Sequence, residues 1–301
     1  MRSLLCLICV LGLLVCACGE DVQTCETTAD CKKGYVCVQG RCLQPVNPCG
    51  SNLDCDFPLE CVDGYCVEPD VEGGIILGCN SSLDDSCESD ERPHHIVTLS
   101  PYEIDPTETT QSVYQACIDD GGCTAPGTDA DCAWNPANRG EHPVICVTWT
   151  QARDYCLWAE KRLCTEAEWE AAARGDEGQL YPWGNQAPSC DLAIFGNCSD
   201  LPVEVGSLPA GKSPSGAFDM AGNVYEWVSD WYDPAYYTQA PRADPIGPNS
   251  GEMRVMRGGG YKVDSRFTRA SNRGANPPDQ YVITTEGITP TPLGFRCCRP
   301  L

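Results

Sequence analysis

Twenty-four cysteines in a chain of 301 residues limit its fold more than any other feature. A cytosolic chain would hold so many thiols reduced or spend them on metal, whereas an oxidising compartment closes them into staples. Eight of them form an internal repeat. Residues 25–42 and 49–66 share the pattern C-x5-C-x5-C-x4-C with a shift of 24 residues. Each copy has almost no aliphatic core, so two disulfides per copy must hold it. Zinc is the alternative for four cysteines, but the x5 spacing is unlike the CxxC knuckle of a zinc site. The repeats are therefore expected to form a stalk over residues 18–70, punctuated by Pro45, Pro48 and Pro69. A Gly/Asp/Ser-rich linker over residues 71–92 should follow, with Cys79 and Cys87 closing a local loop.

The N-terminus argues for export. Arg2 precedes an apolar run from Leu4 to Val15, too short to span a bilayer and suited to a secretory leader. The run ends in Val15-Cys16-Ala17-Cys18, which resembles a bacterial lipobox. Residues 1–17 are thus expected as a lipoprotein signal peptide and Cys18 as the lipid anchor to the outer membrane or cell surface. An unlipidated leader cleaved after Ala17 is the alternative. Removing Cys6, Cys9 and Cys16 with the leader, and giving Cys18 to lipid, leaves an even number of cysteines that can all pair. The formal charge of −23 argues against nucleic acid or an anionic membrane surface as partner, because a polyanion would be repelled. Membrane contact is expected through the N-terminal lipid alone. Sequons at Asn80 and Asn197 carry little weight in a bacterial lipoprotein.

Beyond residue 92 the pattern is mixed. The run from His94 to Ser100 alternates as a strand, which puts His94 and His95 on opposite faces, as surface or edge residues rather than joint metal ligands. Glu108-Thr109-Thr110 reads as a helix start. Trp149–Ala159 reads as a helix with Ala152, Tyr155, Cys156 and Ala159 on one face. Thr165 opens another, with Glu168 completing a capping box. Glu166, Glu168 and Glu170 suit a helical first turn, where carboxylates complement the macrodipole without any catalytic role. The stretch 215–231, SGAFDMAGNVYEWVSDW, gathers Phe218, Met220, Val224, Tyr225, Trp227 and Trp231 around two glycines, and reads as a folded core loop. Within it Asp219, Gly222, Val224 and Glu226 fall at i, i+3, i+5 and i+7. A tight turn could aim their carboxylates and carbonyls at one hard cation such as calcium. A buried turn whose carboxylates cap a helix or pair with arginine is the other reading. Arg257–Gly260 reads as a tight turn with close backbone approach, not a phosphate cradle. Arg266, Arg269 and Arg273 either line a cleft or pair with acids.

Three segments together, HPVICVTWTQARDYCLWAEKRLCTEAEWEAAARG, DMAGNVYEW and MRGGGY with a terminal GFRCC, resemble the formylglycine-generating enzyme, or sulfatase-modifying factor, family in order and spacing. The resemblance implies an α+β domain over residues 93–301, of the C-type-lectin-like variant, disulfide-rich and with little regular secondary structure. It implies a disulfide between Cys156 and Cys297, and calcium at Asp219, Gly222, Val224 and Glu226. It also implies a copper-dependent oxidation of a protein cysteine to formylglycine, with copper held by two thiolates just after the glycine turn. No cysteine lies between Cys198 and Cys297, and Val263 and Ser265 are the best matches for the two ligands. Copper is therefore not expected. The leading expectation is a surface lipoprotein whose domain binds a protein, peptide or glycan without catalysis. An oxidoreductase of the family, converting protein cysteine to formylglycine with a different metal site, is the alternative. A third reading makes the repeats functional and the large domain a structural cap.

Overall fold

The computed structural model describes residues 74–301, apart from Ser82, Ala130, Asn197 and residues 284–290, together with four short strands nearer the N-terminus. The chain divides into two units, Met1–Pro69 and Asp70–Leu301. In the first, β1 (Val36–Val38) pairs antiparallel with β2 (Arg41–Leu43), and β3 (Glu60–Val62) with β4 (Tyr65–Val67). The register sets Cys37 opposite Cys42 and Cys61 opposite Cys66. The sequence repeat is thus a repeat of backbone hairpins. The signal peptide, Cys18 and the remaining repeat residues lie outside the described residues.

The second unit begins earlier than the sequence suggests. The short run β5 (Ile75–Leu77) pairs with β6 (His95–Val97), and Leu77 and Val97 pack on Ala167 and Ala171. From Gly74 onward the expected linker is part of the domain, because three consecutive apolar residues have a hydrophobic surface to cover. β6 stops at Val97; Thr98 then bridges to Ala243, and β7 (Tyr102–Ile104) is a separate strand. Nor is His94 a surface residue, whereas His95 is a half-buried residue of the two-stranded β5-β6 sheet. His94 is 8 % exposed, and burial holds its ring neutral with a pKa of about 3. His95 meets the Tyr237 ring edge-on at 4.7 Å.

The other elements are α1 (Gln111–Asp119), α2 (Pro136–Arg139), α3 (Trp149–Trp158), β8 (Arg162–Leu163), α4 (Glu166–Arg174), β9 (Tyr225–Trp231), β10 (Arg254–Arg257), β11 (Gly274–Asn276), β12 (Val282–Ile283), β13 (Thr291–Phe295) and β14 (Cys297–Pro300). Thr165 caps α4 in the expected box with Glu168, and Thr148 with Gln151 caps α3 likewise. Five strands form one sheet in the order β11-β10-β9-β13-β12, with β9 and β13 parallel; a second sheet has the order β7-β14-β8. The stretch 215–231 is only half a loop, since its second half is the central strand β9. The β-branched and aromatic residues Tyr225, Trp227, Val228 and Trp231 favour extended backbone once neighbours exist on both sides, and the first four residues of the strand are all buried.

The chain passes from the first sheet to the second at Arg296, which is 1 % exposed. Its guanidinium binds both oxygens of Glu226, at 2.7 Å each. Helix α4 is tied in the same fashion. Arg273 grips Glu166 through two bonds of 2.8 Å, and Arg257 and Arg174 share Glu170. Desolvation pushes the Glu170 carboxyl up, but Arg257 and Arg174 together outweigh it and hold its pKa at about 2. Beside this network, Asp230 accepts from the Glu166 N–H and the Ser229 hydroxyl, both at 2.8 Å. Burial first, and the Glu166 charge second, raise its pKa to about 7.

All twelve cysteines of the second unit are paired: 79–87, 117–123, 132–146, 156–297, 164–298 and 190–198. Cys156 and Cys164 flank β8 and bond the adjacent Cys297 and Cys298, across separations of 141 and 134 residues. With either bond present, the other closes a ring of only about ten residues, worth about 3 kcal/mol, whereas the first closes a loop worth about 5 kcal/mol. Replacing one pair by alanine should therefore cost about 3 kcal/mol, and replacing both about 8 kcal/mol, more than the sum of the singles. Denaturant unfolding of the two single-pair variants and the combined variant measures this; strict additivity would refute the redundancy.

Asp230 sets a pH dependence of definite sign. Between its unfolded pKa near 3.8 and its folded value of about 7, the folded state keeps a proton that the unfolded state has released, so this group's contribution falls as pH rises and levels off above 7. His94, held low, has the opposite slope at acid pH, so the test is a difference. Thermal unfolding at pH 5 and pH 8 should show Asp230→Asn gaining on the native protein at the higher pH by on the order of 5 °C. A difference independent of pH would show that Asp230 ionises normally.

Candidate functional site

The glycine turn after β10 is built by close approach. Gly258 and Gly259 have φ of +91° and +74°, and a Cβ on Gly259 would lie 2.8 Å from the Phe267 carbonyl oxygen. Glycine is required there on both counts. The turn delivers the two positions matched to copper ligands into different settings. Val263 is 3 % exposed and packs in the main core with Tyr225, Trp227 and Phe295. Ser265 opens a 3-10 turn through Thr268 that Asp264 caps. With every cysteine of the unit in a disulfide, no pair of thiolates is available to this face.

The four residues expected to hold calcium are only partly brought together. Both Glu226 oxygens are taken, by Arg296 and by the Trp169 indole N–H at 2.9 Å. A guanidinium already neutralises this carboxylate, so Glu226 does not fit a cation site. Val224 is fully buried against Ile145 and the Cys132–Cys146 bond, and Gly222 (φ +81°) lies against the Ile194 backbone, which leaves no room for a Cβ. Asp219, at φ +58°, accepts from the Gly206 N–H at 2.6 Å and faces Glu108. Glu108 was not singled out as a site residue from sequence. It is 1 % exposed; one oxygen accepts from Asn223 Nδ2 at 3.0 Å, and among the described residues the other, Oε2, has no hydrogen-bond donor, while the carboxyl as a whole faces that of Asp219. Desolvation and then the Asp219 charge push the Glu108 carboxyl well up, and burial raises Asp219 as well. The two carboxyls form a buried pair that fits either a shared proton or a cation.

Among the described residues, Cys79, Asp84, Cys87 and Glu91 form the group whose ligand atoms lie within 4.8 Å of one another. The cysteines are disulfide-bonded, however, and Arg269 enters the group, reaching Asp84 at 2.8 Å and Glu91 at 2.6 and 2.7 Å. A guanidinium fills the place of a cation. Arg269 and Arg273 both pair with acids rather than line a cleft, which settles the choice left open by their spacing.

A cavity of about 490 Å3 opens between β8, the end of β14 and the segment around Asp244. Its wall is largely apolar, with Leu99, Leu163, Ile246 and Pro300, and one side is formed by Trp149 and Arg254. The Arg254 guanidinium lies between two indoles, 3.7 Å from the Trp149 ring centre and 3.5 Å from that of Trp231. Trp149 is itself fixed by its N–H to the Val228 carbonyl at 2.8 Å. No sequence signal joins residues 149, 231 and 254, because strand register brings them together: Arg254 stands opposite Trp231 in the β9–β10 ladder.

These features agree with what the chain is similar to. Residues 70–301 match the family described as the sulfatase-modifying factor enzyme 1-like domain. The formylglycine-generating enzyme of Streptomyces coelicolor is 33 % identical over 265 residues, covering 69 % of this chain and 81 % of the relative. The hercynine oxygenase of Mycolicibacterium thermoresistibile is 33 % identical over 239 residues, 67 % of this chain but 53 % of that protein. Among solved structures, PvdO from Pseudomonas aeruginosa superposes with a TM-score of 0.63 at 26 % identity, covering 76 % of this chain and 92 % of that one. Treponema denticola variable protein 1 superposes with a TM-score of 0.58 at 25 % identity and the same coverage. The fold is thus that of a mixed helix-and-strand, disulfide-rich domain of the formylglycine-generating type. The chain belongs to the sulfatase-modifying factor family, and its family domain starts at residue 70 rather than 93.

Proposed function

We propose that the protein is an exported, lipid-anchored surface protein whose family domain binds a protein, peptide or small ligand without carrying out the oxidation from which the family takes its name. The observation that carries this reading is the fate of the thiols. All twelve cysteines of the domain are consumed by disulfides, and Val263 and Ser265 stand where the resemblance puts copper ligands. Valine has no donor atom, and a hydroxyl is a poor ligand for Cu(I). The apolar leader and the cysteine after Ala17 support the exported, lipid-anchored part of this reading. The C-type-lectin-like character of the fold belongs to the same proposal.

The test is mass spectrometry of a cysteine-containing sulfatase-type peptide after incubation with the protein, Cu(I), reductant and oxygen, beside a competent family enzyme. The expected outcome is no conversion by this protein. Formylglycine in its product would establish the oxidoreductase reading instead.

Calcium is part of the proposal as a structural ion, held by Asp219 and Glu108 with backbone carbonyls of the Gly222–Val224 turn, and without Glu226. Oxygen donors in a buried, doubly acidic pair suit a hard cation, which would offset the like-charge repulsion. Calcium should raise the melting temperature relative to chelator, and Asp219→Asn or Glu108→Gln should abolish that increment. An increment that survives both substitutions would place the ion elsewhere.

A further inference from the structure

The buried arginines of this domain follow one rule. Arg174, Arg257, Arg269, Arg273 and Arg296 each hold a carboxylate within hydrogen-bond distance. Arg254 breaks it. Among the described residues its guanidinium has the Ser229 carbonyl as hydrogen-bond acceptor, its Nε N–H has none, and no carboxylate forms an ion pair with it. Stacking on Trp149 and Trp231 supports the planar cation through its faces, which leaves its edge for in-plane hydrogen bonding. The other cations around the cavity are already paired, and its exposed carboxylate is hydrogen-bonded. Arg162 is gripped by both oxygens of Glu168 at 2.6 Å, Arg153 binds Asp154, and Asp244 accepts from the Ser100 N–H and hydroxyl. The cavity therefore combines an apolar wall with one cation outside any ion pair, the Asp244 carboxylate at its rim being held by Ser100. Partial burial draws the Arg254 pKa down to about 10, so the guanidinium is charged at neutral pH and incompletely solvated.

We infer that this cavity is a binding site for a small monocarboxylate with an apolar body, its carboxylate received by Arg254 and its body by Trp149, Leu99, Leu163 and Ile246. The inference rests on the binding reading above and gives it a ligand class. The size is that of a small-molecule site, mostly apolar with few polar anchors. A second charge on the ligand would find no free partner, so a dicarboxylate or phosphate gains nothing over a single carboxylate. The acidic surface does not forbid an anion here, because charges more than about 8 Å away are largely screened at physiological ionic strength.

The probe is 3-phenylpropanoate, titrated into the whole protein and followed by tryptophan fluorescence and calorimetry, with the neutral 3-phenylpropanamide as isostere. Saturable binding of the acid is expected, at least about ten-fold tighter than the amide. Arg254→Lys, which keeps charge but loses the planar fork, should weaken the acid about ten-fold, and Arg254→Met should bring acid and amide to equal affinity. Arg266→Ala, outside the cavity, should change nothing. Absence of saturable binding, equal affinity for acid and amide, or unaltered binding by both Arg254 variants overturns the inference. The amide comparison uses unmodified protein and so stands even where a variant misfolds. Failure here leaves the non-catalytic reading intact, since only formylglycine formation removes that.

Discussion

Helix α4 carries three glutamates, and the arginines that hold them come from four separate stretches of chain. Arg273 reaches Glu166 from beyond the glycine turn, Arg257 reaches Glu170 from β10, Arg174 reaches it from the helix itself, and Arg162 binds Glu168 from β8. Glu170 also accepts from the Gly78 N–H at 2.7 Å and from the Tyr237 hydroxyl at 2.9 Å, so the segment after β5 is pinned to the same residue. Among the described residues of the long stretch 175–224 there is no strand and no helix beyond a 3-10 turn. A domain with so much irregular backbone gains its uniqueness from bonds that have only one good geometry. Removing one partner of such a pair strands a buried charge at a cost of about 3–5 kcal/mol, even where an apolar replacement of the whole pair would be tolerated.

This explains why the charge count misleads when read as surface alone. The chain carries 43 acidic and 20 Lys or Arg residues, yet five of the arginines are almost fully covered, each against a carboxylate. Sequence spacing showed that Arg266, Arg269 and Arg273 recur every three or four residues. It could not show which acids Arg269 and Arg273 meet, because those acids lie between about 100 and 180 positions away in sequence.

Local rules were legible wherever one element decides the outcome. The capping box at Thr165, the helix from Trp149 and the tight turn at Gly258 follow from neighbours within a few residues. The family resemblance carried the fold further and linked Cys156 to Cys297. Reading failed where tertiary pairing overrides local character. Ile75–Leu77 sits in a Gly-rich, acidic stretch and looks like a linker, but β6 gives it a partner. Tyr225–Trp231 looks like the end of a loop, and becomes the middle of a five-stranded sheet because β10 and β13 flank it. Glu226 looks like a metal ligand until Arg296 is seen across the junction of the two sheets.

The segment bearing Val263 and Ser265 is anchored by contacts that involve neither residue's chemistry: Gly259 against the Phe267 carbonyl, Tyr261 bonded to the Asn223 carbonyl at 2.9 Å, and Arg257 on Glu170. Val263 adds apolar surface to the core, and Ser265 starts a turn that Asp264 already caps. At Val263 a thiolate would be disfavoured, since burial beside Trp227 and Phe295 penalises a charged sulfur. The backbone of this segment is held by packing and hydrogen bonds, and the guanidinium outside any ion pair lies at the other end of β10, where Arg254 stacks on two indoles.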